Sequence, residues 1–165
     1  MKTLALIGLP GCGKTSVGKE LAEKLGLSFA DCDEEVERQA KMTIPELFEQ
    51  EGEGGFRARE TAVLYHLVVK DHYVVATGGG VVTRPENRAA LQKCFTVFWD
   101  RTPESIAKTA DLTGRPLLRH NTLQDLYQQR RALYEDWADL TVDGEDREKA
   151  VAQVVAAWRS RICDF

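Results

Sequence analysis

No apolar run in this chain approaches the roughly 20 residues needed to cross a bilayer, so a helical membrane span is not expected. A basic excess is also missing, because 26 acidic against 22 basic residues give a net charge of −4. Nucleic-acid binders normally carry a basic surface, so the balance argues against such a partner while leaving room for a basic pocket. Cys12, Cys32, Cys94 and Cys163 form no Cys-x-x-Cys pair, and no histidine stands at zinc spacing from them. That pattern argues against a metal cluster and for free thiols in a reducing compartment. His66, His72 and His120 share no spacing that suggests a site. Internal repeats, low-complexity tracts and linkers are absent, so residues 1–165 are expected to form a single domain. The N-terminal apolar run, Leu4–Leu9, is too short for a signal-peptide core and leads into a glycine loop. A cytoplasmic location is expected on that ground.

What remains is 43% hydrophobic and 29% charged, the composition of a globular protein. Apolar β-type runs at Thr3–Leu9, Ser28–Asp31, Tyr73–Thr77, Phe95–Asp100 and Leu140–Val142 alternate with amphipathic segments. Lys14–Leu25 carries Val17, Leu21 and Leu25 at four-residue spacing, which predicts a helix. Thr43 and Thr83 each precede a glutamate by three residues, with a proline between, and read as helix caps; Thr102-Pro103 repeats the cap and proline. Asp146–Cys163 reads as a closing helix that buries Val151, Val154, Val155 and Trp158. Alternation of this kind predicts an α/β domain, a parallel sheet covered by helices, with ligands at the carboxyl ends of its strands.

Gly8-Leu9-Pro10-Gly11-Cys12-Gly13-Lys14-Thr15 fits the phosphate-loop pattern at every fixed position, between a strand and a helix. Glycines let the backbone bend around an anion with its N–H groups turned inward, and the helix adds the positive end of its dipole. Gly11, Cys12, Gly13, Lys14, Thr15 and Ser16 are therefore the expected ATP-binding residues. Lys14 would bridge the β- and γ-phosphates, and Thr15 would ligate Mg²⁺. Cys12 stands at a variable position and need not be catalytic.

A switch GTPase would need an Asn-Lys-x-Asp base reader, and none occurs. Asp111-Leu112-Thr113-Gly114 has the spelling of a switch motif but follows a helical stretch. Asp100, ending an apolar strand, is a minor candidate for the metal-side acid of an ATPase. Other features favour a small-metabolite kinase. Asp31 and Asp33 end the second strand and would point the same way if the strand continued through both. Gly78-Gly79-Gly80 would let backbone approach a ligand. Arg57, Arg59, Arg115 and Arg130 suit an acidic substrate and a transferring phosphoryl group.

The set Gly-x-x-Gly-x-Gly-Lys-Thr, Asp31-x-Asp33, Gly52-Glu53-x-x-Phe56-Arg57-x-x-Glu60, Gly78-Gly79-Gly80 and Arg115-Pro116-Leu117-Leu118 resembles shikimate kinase in order and spacing over essentially the whole chain. The resemblance implies a three-layer fold like that of nucleoside monophosphate kinases, with a five-stranded parallel sheet in order 2-3-1-4-5. It implies a substrate-binding region at about 32–60 and a lid at about 110–121. Asp33 would bind the ring hydroxyls of shikimate, Arg57 and Arg130 its carboxylate, and Gly79 and Gly80 would meet it through backbone. Asp31 would face Mg²⁺ through water. Arg115 would reach the phosphates from the lid, making Lys14, Asp33 and Arg115 the catalytic set. Arg147 would belong to the adenine loop.

Alternatives stand beside these roles. Asp31 and Asp33 are also placed to cap a following helix, Asp33 toward Val36, and Arg57 is placed to be a solvated helix residue. Arg59 reads as structural, paired with a carboxylate, and Glu60 as orienting Arg57. Lys108 stands where the family often has an adenine-stacking arginine, and Arg130-Arg131-Ala132-Leu133-Tyr134 replaces Arg-x-Pro-Leu-Tyr, leaving two arginines for one role. The nearest rival is another small-metabolite kinase, such as one for gluconate; a nucleotide-binding regulator without transfer activity is the rival of a different class.

Overall fold

The computed structural model describes residues 3–110 and 122–163. Its elements run β1 (Thr3–Ile7), α1 (Lys14–Leu25), β2 (Ser28–Asp31), α2 (Cys32–Ala40), α3 (Ile44–Val68), β3 (Tyr73–Ala76), a 3₁₀ turn (Val81–Thr83), α4 (Glu86–Leu91), β4 (Phe95–Asp100), α5 (Pro103–Thr109), α6 (Leu123–Trp137), β5 (Leu140–Asp143) and α7 (Arg147–Cys163). The five strands form one sheet in the order β2-β3-β1-β4-β5, and every pairing is parallel, with Asp31 and Leu6 both opposite Ala76 and Ile7 opposite Phe98. The predicted order is the observed one.

Parallel strands are covered on both faces, which requires apolar side chains without alternation. β1 meets that demand, being buried at all five positions. Leu4, Leu6 and Ile7 have no exposed surface, and burying each contributes about 1.5–3 kcal/mol. β1 stops two residues short of the apolar run, because Leu9 is already in the loop, where its carbonyl accepts from Cys12 N. The parallel arrangement brings the ends of β1, β2 and β3 to one edge, and the loops that follow them build the site.

Two helix starts behave as the sequence suggests. Thr43 accepts from Glu46 N while Glu46 reaches back to Thr43 N, a complete capping box, and Thr102 accepts from Ser105 N. Thr83 does not cap α4, whose first residue follows Pro85 without a side-chain cap. Its hydroxyl instead donates to Gly80 O at 2.6 Å, since the chain leaves β3 through a 3₁₀ turn that puts Thr83 back over the glycines. Nor does β2 continue through Asp33. It ends at Asp31, whose carboxylate accepts from Glu34 N and starts α2. The two acids are thus strand end and first helical turn rather than alternate strand positions.

The long helix α3 bends at Gly52, which adopts φ 70°, ψ −178°, a conformation open only to glycine. The bend folds the first turns back on the second part. Phe48 and Phe56 stack with ring centroids 4.9 Å apart, and Arg59 pairs with Glu51 at 2.8 Å; eight residues along a straight helix would be separated by about 12 Å. Arg59 is structural, as expected. Beyond the bend, Phe56, Arg57, Glu60, Val63, Leu64 and Leu67 are buried, a stripe at helical spacing that carries an arginine and a glutamate into the interior.

Candidate active site

Lys14 opens α1 and is 7% exposed. Its ammonium donates to the carbonyls of Gly8 at 2.7 Å and Leu9 at 2.8 Å, so it lies inside the curve of the loop. Thr15 Oγ1 donates to Asp31 Oδ2 at 2.5 Å. Asp31 therefore caps α2 with one oxygen and meets Thr15 with the other; the two readings of this residue are compatible. A hydroxyl beside a carboxylate is a hard oxygen donor set, which fits Mg²⁺. Lys14, Thr15, Ser16, Asp31, Asp33 and Ala110 border one cleft of about 260 Å³ with Gly11, Gly13 and Thr77–Gly79.

Gly78 and Gly79 close the other wall, and each glycine of the triplet faces a different neighbour. A Cβ on Gly78 would stand 2.5 Å from Glu60 Oε2 and 3.0 Å from Asp33 Oδ1; on Gly79, 2.5 Å from Pro10 Cδ; on Gly80, 2.2 Å from Arg57 Nη2. Real Cβ contacts do not reach these distances, so the turn is pressed between the phosphate loop and α3. Its carbonyls are held from behind. The Tyr134 hydroxyl donates to Gly79 O, Thr83 to Gly80 O at 2.6 Å and Asn87 Nδ2 to Val81 O at 2.9 Å. Burial above all pushes the Tyr134 phenol above its ordinary pKa, keeping it a donor.

Arg57 and Arg130 are each 6% exposed. Arg57 Nη1 donates to Glu60 Oε1 at 2.9 Å, so Glu60 orients it, and Arg57 Nε lies 3.7 Å from Glu53. Among the described residues, Arg57 Nε and Arg130 Nη1 are buried without a hydrogen-bond partner. A buried guanidinium nitrogen without a hydrogen-bond acceptor is costly; Arg57 lies against Gly80 and Arg130 against Tyr134, and the two open nitrogens suit an anionic ligand. Arg130 lowers the Tyr134 phenol's pKa within the larger effect of burial. Arg131, half exposed, pairs with Glu135 at 3.0 Å. Of the two candidate arginines, Arg130 is the one turned inward.

Other residues go elsewhere. Asp100 accepts from the Tyr127 hydroxyl at 3.0 Å and lies 3.9 Å from Arg131; burial raises its pKa. It anchors α6 rather than bordering the cleft. Arg147, at the start of α7, pairs with Glu20 at 2.8 Å and donates to Ser16 Oγ at 3.1 Å, which brings it to the loop's end. Lys108 is exposed on α5. Arg115 and the switch-like Asp111–Gly114 lie outside the described residues. Three contributors escaped the sequence reading: Tyr134 as a glycine clamp, Asn87, and Arg101, which donates to Cys12 O at 3.4 Å. Only Tyr134 carried a signal, as the last residue of the Arg130–Tyr134 motif.

A family model for shikimate kinase matches residues 10–159. The chain belongs to the shikimate kinase family. Among its relatives, a shikimate kinase of Parasynechococcus marenigrum (strain WH8102) is 47% identical over 147 residues, covering 86% of this chain and 76% of that protein. The solved structure of a shikimate kinase from Acinetobacter baumannii in complex with shikimate superposes with a TM-score of 0.87 at 38% identity, covering 95% of this chain and 94% of that one. For the shikimate kinase of Aquifex aeolicus the TM-score is 0.83 at 33% identity, over 97% and 98% of the two chains. Family membership therefore spans both walls of the cleft, the phosphate loop and the glycine turn alike.

Proposed function

We infer that the protein transfers the γ-phosphoryl group of ATP to the 3-hydroxyl of shikimate, giving 3-phosphoshikimate and ADP in aromatic amino-acid biosynthesis. The observation that carries this reading is the pair of buried arginines, Arg57 and Arg130, each with a nitrogen that has no hydrogen-bond partner, Arg57 lying against the glycine turn that abuts the phosphate loop. A carboxylate bound there would satisfy both guanidinium groups in charge-assisted hydrogen bonds. Asp33, bordering the same cleft, would then face the ring hydroxyls. Gly79 and Gly80 would contact the ring through backbone.

In the transfer, the 3-hydroxyl oxygen bonds to the γ-phosphorus as the bond to the β,γ-bridging oxygen breaks, and the hydroxyl proton passes to Asp33. Gly11, Cys12, Gly13, Lys14, Thr15 and Ser16 hold the triphosphate. Phosphoryl transfer depends on alignment and charge neutralisation, which Lys14 and Arg115 supply at the γ-phosphate. Thr15 would hold Mg²⁺ directly and Asp31 through water; the ion would neutralise phosphate charge. Arg147 supports the nucleotide from the start of α7.

Residues 1–165 act as one kinase domain, with residues 110–121 a lid that excludes water from the reacting groups. Arg115→Ala tests the lid, since unchanged turnover would remove it from the mechanism. No helix among the described residues is long and apolar enough to cross a membrane. The enzyme works in the cytoplasm as a monomer, with ATP and shikimate as partners and neither membrane nor nucleic acid.

A coupled ADP-release assay with shikimate, gluconate or no acceptor tests the whole reading. Shikimate alone should stimulate release. Equal release with gluconate, or without an acceptor, would overturn it.

A further inference from the structure

Arg101, the residue after β4, joins three parts of the nucleotide side. Its Nη1 donates to the Cys12 carbonyl at 3.4 Å. Its Nη2 reaches Ser105 O at 3.1 Å, Ser105 Oγ at 2.8 Å and Thr109 Oγ1 at 2.9 Å. Its stem packs against the turn after β5, where a Cβ on Gly144 would fall 2.8 Å from Arg101 Cγ. Thr109 is the last residue of α5, and Ala110 beside it borders the cleft.

A loop that offers N–H groups to an anion must turn its carbonyls away, and those carbonyls need donors of their own. Lys14 takes the carbonyls of Gly8 and Leu9, but under the proposed function its ammonium would also serve the phosphates. The Cys12 carbonyl goes to Arg101 instead, so that part of the loop is held by a group with no other duty at the cleft. A guanidinium fork can span two elements and fix their separation, whereas an ammonium is a point charge on a flexible stem.

We propose that Arg101 is a positioning residue for the nucleotide, fixing the phosphate loop at Cys12 to the end of α5 from which residues 110–121 continue. This rests on reading Gly8–Thr15 as the ATP site. In Arg101→Ala, KM for ATP and Kd for ADP should rise about five-fold, the weight of one long hydrogen bond. KM for shikimate and kcat at saturating ATP should stay near those of the wild type, while the melting temperature falls with the lost α5 contacts. Arg101→Lys should recover only part of the loss. Thr109→Val, which frees the α5 end while keeping the arginine, should raise KM for ATP by about three-fold. Unchanged ADP affinity in Arg101→Ala overturns the proposal, as does a parallel rise in both KM values. If Arg101→Ala does not fold, an unaltered KM for ATP in Thr109→Val overturns it. Calorimetry of ADP on the wild type separates the two readings: no binding there overturns the ATP site and Arg101's role together, while binding that Arg101→Ala leaves intact overturns Arg101's role alone.

Discussion

The two walls of the cleft are made of different material. The donor wall is mostly backbone, a loop of eight consecutive residues with one internal cation, Lys14, bonded to the loop's own carbonyls. The acceptor wall is Asp33 from α2 and the glycine turn after β3, backed by side chains of α3, where Arg57 and Glu60 are paired in the interior against Gly80 and Gly78. Backbone dipoles at a helix start suit any polyphosphate, because every nucleotide presents the same oxygens. Forked side chains fixed by neighbours discriminate among acceptors, because a planar guanidinium binds a carboxylate in a set geometry as well as by charge. Under the proposed function the donor wall would confer reactivity, and the acceptor wall choice.

Variants of the two walls should fail differently. The largest effect is expected for Lys14→Met, about a thousand-fold in kcat/KM, together with weaker ADP binding, since the loop also loses the donor for Gly8 and Leu9. Asp33→Asn should lower kcat by about a hundred-fold while ATP affinity measured by calorimetry is retained; near-normal turnover would remove Asp33 from the chemistry. Arg57→Lys should raise KM for shikimate about ten-fold and leave KM for ATP alone. If both KM values rose together, the division between the walls would be wrong. Gly80→Ala must displace the Arg57 guanidinium, and about 1–3 kcal/mol of stability should be lost in denaturant titration, with KM for shikimate raised. The smallest effect belongs to Thr83→Val, about 1 kcal/mol, because it removes one of the three side-chain clamps on the glycine turn.

The same division explains what could be read in advance. The limits of β2, β4 and α1, and the caps at Thr43 and Thr102, followed from apolar runs and local hydrogen-bonding chemistry, whereas strand order came with the resemblance to a family. The phosphate loop was equally plain, being contiguous. Thr83 and the Asp31–Asp33 pair misled because cap and strand patterns are local, whereas the 3₁₀ turn and the start of α2 were fixed by what the chain meets at the sheet's edge. On the acceptor side only the resemblance to a family singled out Arg57 and Arg130. The replaced Arg-x-Pro-Leu-Tyr left Arg130 and Arg131 both open, while the Phe56–Glu60 motif already favoured Arg57 over Arg59. Burial separates both pairs.

The sequence alone determined an alternating α/β chain, a phosphate cradle at Gly8–Thr15 and a family pattern for the acceptor, since periodicity and consecutive motifs are properties of a chain. The tertiary structure decided which arginines face inward, that Asp31 serves helix and Thr15 at once, that Tyr134 holds Gly79, and that Arg101 holds Cys12. Those outcomes depend on residues far apart in sequence competing for the same space, as the bend at Gly52 and the Cβ-free wall at Gly78–Gly80 make plain.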